Sequence, residues 1–275
     1  MMTNKIGLIA GEGKMPVYIA QKATSKGYEV YVAGAKGNAK ENDYKTCAKV
    51  FRAFRLGQLG AGIRFFKEHG VTRVIMAGRV QHTSIFTNLM PDLRGAKFLA
   101  SLKNMQTKNI LSRVMDEFKK DGIEFEHSAL FLEDFMPQKG VLSARKPTEE
   151  EQQAAEFGYK TAKAIAALDI GLTCVVSQNA VIAVEGMEGT DRCILRAGEL
   201  YRESAEKKSS VAVVKVARPN QDKRFDLPVI GKGTLESLHK AGISVLAFEA
   251  EKTLVLDLED VIALADKYKI CLMAV

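Results

Sequence analysis

The sequence predicts an α/β protein in two parts: an N-terminal Rossmann-like domain with a parallel sheet, and a C-terminal α+β domain with a mixed sheet. The first observation behind this is the opening. Ile6–Ala10 is an apolar strand, Gly11-Glu12-Gly13-Lys14-Met15-Pro16 a tight turn, and a helical stretch to about Lys26 leads into a second strand, Tyr28–Ala33. Strand, glycine turn, helix and strand in that order begin a doubly wound domain. The second observation is that the same alternation continues as far as a strand starting at Ile123. The third is a change of character after the connector Gly140–Thr148, where apparent hairpins mix with helices, as in a mixed sheet. The boundary falls near residues 135–145, giving domains at 1–138 and 139–275.

Each element has a local reason. Pro16 suits a helix first turn, where its missing N–H costs nothing, and Gly27 ends that helix. Ala48–Phe54 reads as a strand, Gln58–His69 as a helix closed by Gly70, and Val71–Ala77 as a strand ending in Gly78-Arg79-Val80-Gln81-His82-Thr83. A helix from about Met105 to Lys120 follows. The intervening residues 84–105 interleave Ile85, Phe86, Leu89, Met90, Phe98, Leu99 and Leu102 with Arg94, Lys97 and Lys103. Such a stripe is expected to face the core; the other reading is a lipid or membrane surface. Thr148, with Glu151 three residues on, opens a long helix to about Leu168. Thr173–Ser177 and Ala180–Glu185 form a hairpin about Gln178-Asn179, and the β-branched run 211–216 is a buried central strand. A helix at Thr234–Ala241, a second hairpin of Val245–Phe248 with Thr253–Leu256, a helix at Glu259–Tyr268 and a strand at Ile270–Val275 complete the reading.

With 275 residues, 47% hydrophobic and 27% charged, the chain can bury a real core and has the composition of a soluble globular protein. A net charge of +7 favours anionic partners: nucleotides, phosphates or an anionic membrane surface. No Lys/Arg block, zinc finger or RNA-binding aromatic motif is present, so nucleic acid is not an expected partner. Cys47, Cys174, Cys193 and Cys271 are isolated and set among apolar residues, which suggests small buried hydrophobes in a reducing cytosol. No signal-peptide core opens the sequence and no apolar run is long enough to span a bilayer, so a cytoplasmic protein is expected.

The chemistry gathers in three places. The first is the glycine turn, where Gly11, Glu12, Gly13 and Lys14 precede a helix start whose free N–H groups suit an anion. It is not a dinucleotide fingerprint: the third glycine is missing, and no acid follows the second strand. Nor is it a P-loop, because Met15 stands where Ser or Thr would bind magnesium. Gly78, Arg79 and Thr83, beyond the carboxyl end of another strand, are further candidates for substrate binding, with Arg79 as a diphosphate clamp. The second place is the polar run Glu185–Arg192 continuing to Glu199, read as a loop, which offers Gly189, Thr190 and Arg196 to a ligand. The third is Lys215-Val-Ala-Arg218-Pro219-Asn220-Gln221-Asp222-Lys223-Arg224-Phe225-Asp226-Leu227-Pro228, a loop stiffened at both ends by proline, with Gln221 as a further substrate contact. Lys215, Arg218, Arg224 and Arg196 would neutralise a diphosphate. Glu188, Asp191, Asp222 and Asp226 are hard oxygen donors suited to magnesium or manganese, so the parts of a metal-assisted phosphoryl hydrolase are present.

Gly7-Leu-Ile-Ala-Gly-Glu-Gly-Lys-Met-Pro16, Glu188-Gly-Thr-Asp191 and Lys215–Gly231 together resemble the LpxI family of UDP-2,3-diacylglucosamine pyrophosphatases of lipid A biosynthesis. The resemblance runs through essentially the whole chain. It implies hydrolysis to UMP and 2,3-diacylglucosamine 1-phosphate (lipid X) with a divalent metal: Mg2+, or else Mn2+ or Co2+. It also implies a homodimer, and a cytoplasmic protein peripheral on the anionic inner membrane. By motif position Asp226 is the foremost catalytic residue, as base or metal ligand, followed by Asp222, Asp191 and Glu188. Relatives carry an acidic pair where this chain has Gln106-Thr107-Lys108-Asn109, so roles tied to that pair do not transfer. The competing reading is a non-hydrolytic nucleotide-sugar or lipid-binding protein on the same scaffold.

Overall fold

The structure is a computed structural model that describes residues 4–79, 89–102, 107–203, 210–219, 224 and 227–275. The chain divides into two compact units, one running to Leu132 and the other beginning at Glu133. In the first unit, strands β1 (Lys5–Ala10), β2 (Glu29–Ala35), β3 (Val50–Phe54), β4 (Arg73–Ala77) and β5 (Glu124–Phe125) alternate with helices α1 (Lys14–Ser25), α2 (Leu59–Glu68), α3 (Leu93–Ala100) and α4 (Thr107–Lys119). All the strand pairings are parallel, in the order β3-β2-β1-β4-β5. The chain therefore winds outward from β1 to β3, then returns to β4 on the other side. The switch point of this doubly wound sheet lies between β1 and β4, where α/β proteins bind ligands.

The core of this unit is aromatic. Tyr31, Phe65, Phe66, Val74 and Phe118 pack in one cluster, with Phe65 and Phe66 fully buried on α2. Each such ring contributes roughly 1.5–3 kcal/mol on burial. Asp92 caps α3 by accepting from the Gly95 N–H at 2.8 Å, and also accepts from Ala61 of α2 at 2.8 Å. Of the apolar stripe expected to face the core, Phe98 does so, whereas Leu89 and Met90 point outward, as does the neighbouring Leu93, which is 76% exposed. Ile85, Phe86 and Lys103 lie outside the described residues.

The second unit is built on strands β6 (Gly140–Val141), β7 (Thr173–Ser177), β8 (Ala180–Val184), β9 (Val211–Lys215), β11 (Val245–Phe248) and β13 (Cys271–Ala274), in the order β6-β13-β11-β9-β7-β8. The inner strands β13, β11 and β9 are parallel, and β6, β7 and β8 pair antiparallel, so the sheet is mixed. Helix α5 (Glu149–Ala167) covers one face through Ala154, Ala155, Ala162 and Ala166. Helices α6 (Thr190–Glu203), α7 (Lys232–Ala241) and α8 (Leu258–Lys267) cover the other. Residues of β9 alternate between the two cores, with Val211 and Val213 on one side and Ala212 and Val214 on the other. The α5 capping box forms as expected: Thr148 and Glu151 each accept the other's backbone N–H, at 3.2 and 2.9 Å.

Two sequence expectations fail here. Val245–Phe248 and Thr253–Leu256 are not a hairpin. Both edges of β11 are already taken by β9 and β13, so the chain turns away through Glu251, at φ 57°, and β12 (Leu254–Val255) pairs parallel with β10 (Val229–Ile230). The run from Thr190 is not a loop but the helix α6, so Asp191 and Arg196 sit on a rigid element. The cysteines lie in the interior, as expected. All four are free and buried, and burial pushes the thiols up, to about 12 for Cys174 and about 11 for Cys193.

Candidate functional site

In the first unit the candidate residues meet at the β1–β4 switch point. The parallel ladder ends at the Ala10–Ala77 pair. Beyond it, Gly11 donates to the Ala77 carbonyl at 2.8 Å, and Glu12 and Arg79 exchange backbone hydrogen bonds of 2.7 and 2.9 Å. Two loops that leave separate strands are thus stitched together by their main chains. Glycine makes this possible. A Cβ on Gly11 would lie 2.6 Å from the Arg79 carbonyl oxygen, and one on Gly78 would lie 2.8 Å from Gly11 and from Pro16. Gly78 also has φ 89°, a conformation that a side chain disfavours. Glu12, Gly13, Lys14 and Arg79 face outward around the first turn of α1. The structure therefore brings together Gly11, Glu12, Gly13, Lys14, Gly78 and Arg79; Thr83 lies outside the described residues.

In the second unit the candidates gather at the carboxyl end of β9 and the start of α6. Lys215, the last residue of β9, is only 6% exposed. Its ammonium donates to the Thr190 hydroxyl at 2.6 Å, and that hydroxyl donates to Glu185 at 2.9 Å. A buried ammonium requires such partners, because an unpaired charge in the interior is costly. Gly189, at φ 83°, turns the chain into α6, and Asp191 follows in the first helical turn with its carboxylate exposed. Asp191 also accepts a long hydrogen bond, 3.4 Å, from Thr234.

Glu188 and Arg196 are paired at 2.5 Å, and Arg196 also donates to the Val184 carbonyl at 2.9 Å. The hydrogen bond from Arg196 holds the Glu188 carboxyl below its ordinary value. Arg218 pairs with Asp169 at 2.5 Å, and Arg224 is partly exposed. Asp222, Asp226 and Gln221 lie outside the described residues, and among the described residues no three His, Cys, Asp or Glu side chains cluster as a metal site.

Residues 5–135 match the family model of the LpxI N-terminal domain, and residues 138–273 match that of the LpxI C-terminal domain. The chain is also 35% identical over 269 residues to the UDP-2,3-diacylglucosamine pyrophosphatase LpxI of Caulobacter vibrioides, covering 95% of this chain and 94% of that protein. The chain belongs to the LpxI family. The matched residues take in both the ends of β1 and β4 and the end of β9.

Several residues around these positions escape a sequence reading. Glu185 stands beneath Thr190 and also accepts from the Leu172 N–H at 3.3 Å. Glu249, 3% exposed, accepts from Lys163, Lys252, Tyr159 and the backbone of Ala217. One signal was available for Glu249: a carboxylate directly after a wholly apolar strand, Val245–Phe248, must find partners if it is buried. Lys163 and Tyr159 carry no comparable sign.

Proposed function

We propose that this protein hydrolyses the diphosphate of UDP-2,3-diacylglucosamine to UMP and 2,3-diacylglucosamine 1-phosphate as a step of lipid A biosynthesis. The observation that carries this reading is the near full-length similarity to a protein named for that activity. In the reaction water adds to one phosphorus, the bridging P–O bond breaks, and the other phosphate leaves carrying the bridging oxygen.

The geometry is compatible with these roles. The exposed cations Lys14 and Arg79, at the start of α1 and just beyond β4, suit the nucleotide's phosphates, as helix N-termini at switch points do. Lys215, fixed by Thr190, and Arg218, held by Asp169, are the cations assigned to the diphosphate.

A divalent cation, when bound, would polarise the phosphoryl oxygens. The donors that suit it in kind are the carboxylates Asp226, Asp222, Asp191 and Glu188. Of the two that are described, Asp191 presents an exposed carboxylate, whereas Glu188 is already engaged by Arg196. Asp226 is assigned the leading catalytic role.

Release of UMP from UDP-2,3-diacylglucosamine with magnesium or manganese tests the reading. Turnover that EDTA abolishes is the expected result. UMP binding without hydrolysis, under any divalent metal, would instead make this a binding protein.

A diacylated substrate also implies contact with a bilayer. Among the described residues no helix is long and apolar enough to cross a membrane. We assign peripheral docking to the outward Leu89, Met90 and Leu93 with the neighbouring exposed Lys97. Leu93→Glu should reduce co-sedimentation with anionic vesicles several-fold, and unchanged binding would remove this surface from the account. A homodimer is the assembly proposed, on the family resemblance alone; sedimentation velocity checks it.

A further inference from the structure

The pair of buried Glu249 and half-buried Lys163 occupies a place that stability alone explains poorly. The ladders of β9 with β7 and β11 end at Lys215, followed only by a hydrogen bond of 2.9 Å from Val216 to the Leu172 carbonyl and one of 2.9 Å from Glu249 to the Lys215 carbonyl. The chain continues buried for two more residues, and Ala217 is 1% exposed. Its backbone N–H and carbonyl have passed the end of the ladder and need other partners. Side chains provide them: Ala217 N–H donates to Glu249 at 2.9 Å, and Lys163 donates to the Ala217 carbonyl at 2.8 Å. Lys163 and Glu249 are themselves paired at 3.0 Å, and Glu249 also takes Lys252 at 2.8 Å and the Tyr159 hydroxyl at 3.3 Å. A buried ion pair commonly does no better for stability than packed apolar residues of the same volume. Here the pair does what an apolar substitute cannot, because it receives both polar groups of one peptide position where the strand gives out.

Helix α5 carries this arrangement. Gly158 lies so close to the sheet that a Cβ there would be 2.5 Å from Val214. That approach lets Tyr159 and Lys163, one helical turn apart on the same face, reach the end of β9. Just beyond the helix, Asp169 at φ 60° holds Arg218. Consecutive residues, Ala217 and the candidate cation Arg218, are thus fixed from α5 and its end, just beyond the candidate cation Lys215.

We propose that Lys163 and Glu249 are positioning residues for the reaction, holding Ala217 so that Lys215 and Arg218 are presented in a fixed geometry to a diphosphate. This rests on the hydrolase reading above. The effect expected is on the rate rather than on substrate affinity, since small misplacements of catalytic groups cost up to about a hundredfold in turnover.

The test compares wild type, Lys163→Met, Lys163→Arg and Glu249→Gln in UMP release, and by hydrogen exchange of the peptide covering residues 211–219. Lys163→Met is expected to lower kcat about tenfold or more with KM within threefold, and to speed exchange at 211–219 while residues 4–79 exchange as in wild type. Lys163→Arg, which keeps both donors, should recover most of kcat. Glu249→Gln keeps the acceptor for Ala217 but loses the charge that holds Lys163, and should fall between. Should Lys163→Met fail to fold, Glu249→Gln, nearly the same shape, decides by the same measurements. A kcat within twofold of wild type in the folded variants, or an arginine variant as impaired as the methionine one, would overturn the proposal. Should wild type itself release no UMP, the hydrolase reading fails and exchange alone judges the anchor: faster at 211–219 supports it, unchanged refutes it.

Discussion

The ends of β1 and β4 in the first unit, and of β9 and β11 in the second, face the same problem and solve it differently. Both are pairs of parallel strands whose ladder stops where candidate residues begin, at Ala10–Ala77 and at Lys215–Phe248. In the first unit the main chains go on pairing with each other, Glu12 with Arg79, and glycine provides the closeness. In the second, charged side chains from elsewhere in the sequence take over, with Glu249 and Lys163 acting for the missing strand. The first solution leaves side chains facing outward for a ligand but tolerates no added atom. The second depends on charge.

The largest effect that would break this contrast is at Gly78. Alanine there would meet the backbone of Gly11 and Glu12 at 2.8–2.9 Å, at a φ of 89°. Strain of this kind costs about 1–3 kcal/mol before the clash is counted. Gly78→Ala should therefore lower Tm by roughly 10 °C and weaken UMP binding, read by calorimetry. A Tm within about 2 °C of wild type would show that the turn is not sterically locked. Lys163→Met, by comparison, should leave UMP binding intact.

The smallest effect is electrostatic and depends on pH. Burial pushes the Glu249 carboxyl up, but hydrogen bonds from Lys252, Lys163 and Ala217 outweigh it and hold the group below its ordinary value. A carboxyl lowered in the folded state adds stability above its unfolded value, about 4.3, and loses it as pH falls through the folded value. The Tm advantage of wild type over Glu249→Gln should thus be full near neutral pH and shrink below about pH 4. A gap that stays constant into acid would mean that the pair contributes through shape alone.

The same contrast explains what could be read in the sequence. The first unit was legible because its rules are local: apolar strands alternate with helices, and glycines mark the turns at Gly11, Gly13 and Gly78. Placement of Gly11–Lys14 beside Gly78 and Arg79 follows from the strand order alone. In the second unit α6 reads as a loop because only one of its buried positions, Ile194, is large, and the others, Cys193, Ala197 and Gly198, are small and set among dense polar residues. Gly198 looks like a helix breaker, yet it is where α6 meets Ala241 of α7, with space for nothing larger. The supposed hairpin after Val245 failed because two neighbouring strand-like runs do not announce which edges are already occupied. Glu249 and Lys163 lie 86 residues apart, and no local pattern joins them.

The most direct test of the account is UMP release from UDP-2,3-diacylglucosamine by wild type and Asp226→Ala under identical metal conditions, with UMP-induced melting shifts as the check on folding and binding. The account predicts that wild type turns over, and that Asp226→Ala loses at least roughly a hundredfold while its melting shift with UMP persists. Asp226→Ala turning over at the wild-type rate would contradict the assignment of the chemistry to that carboxylate.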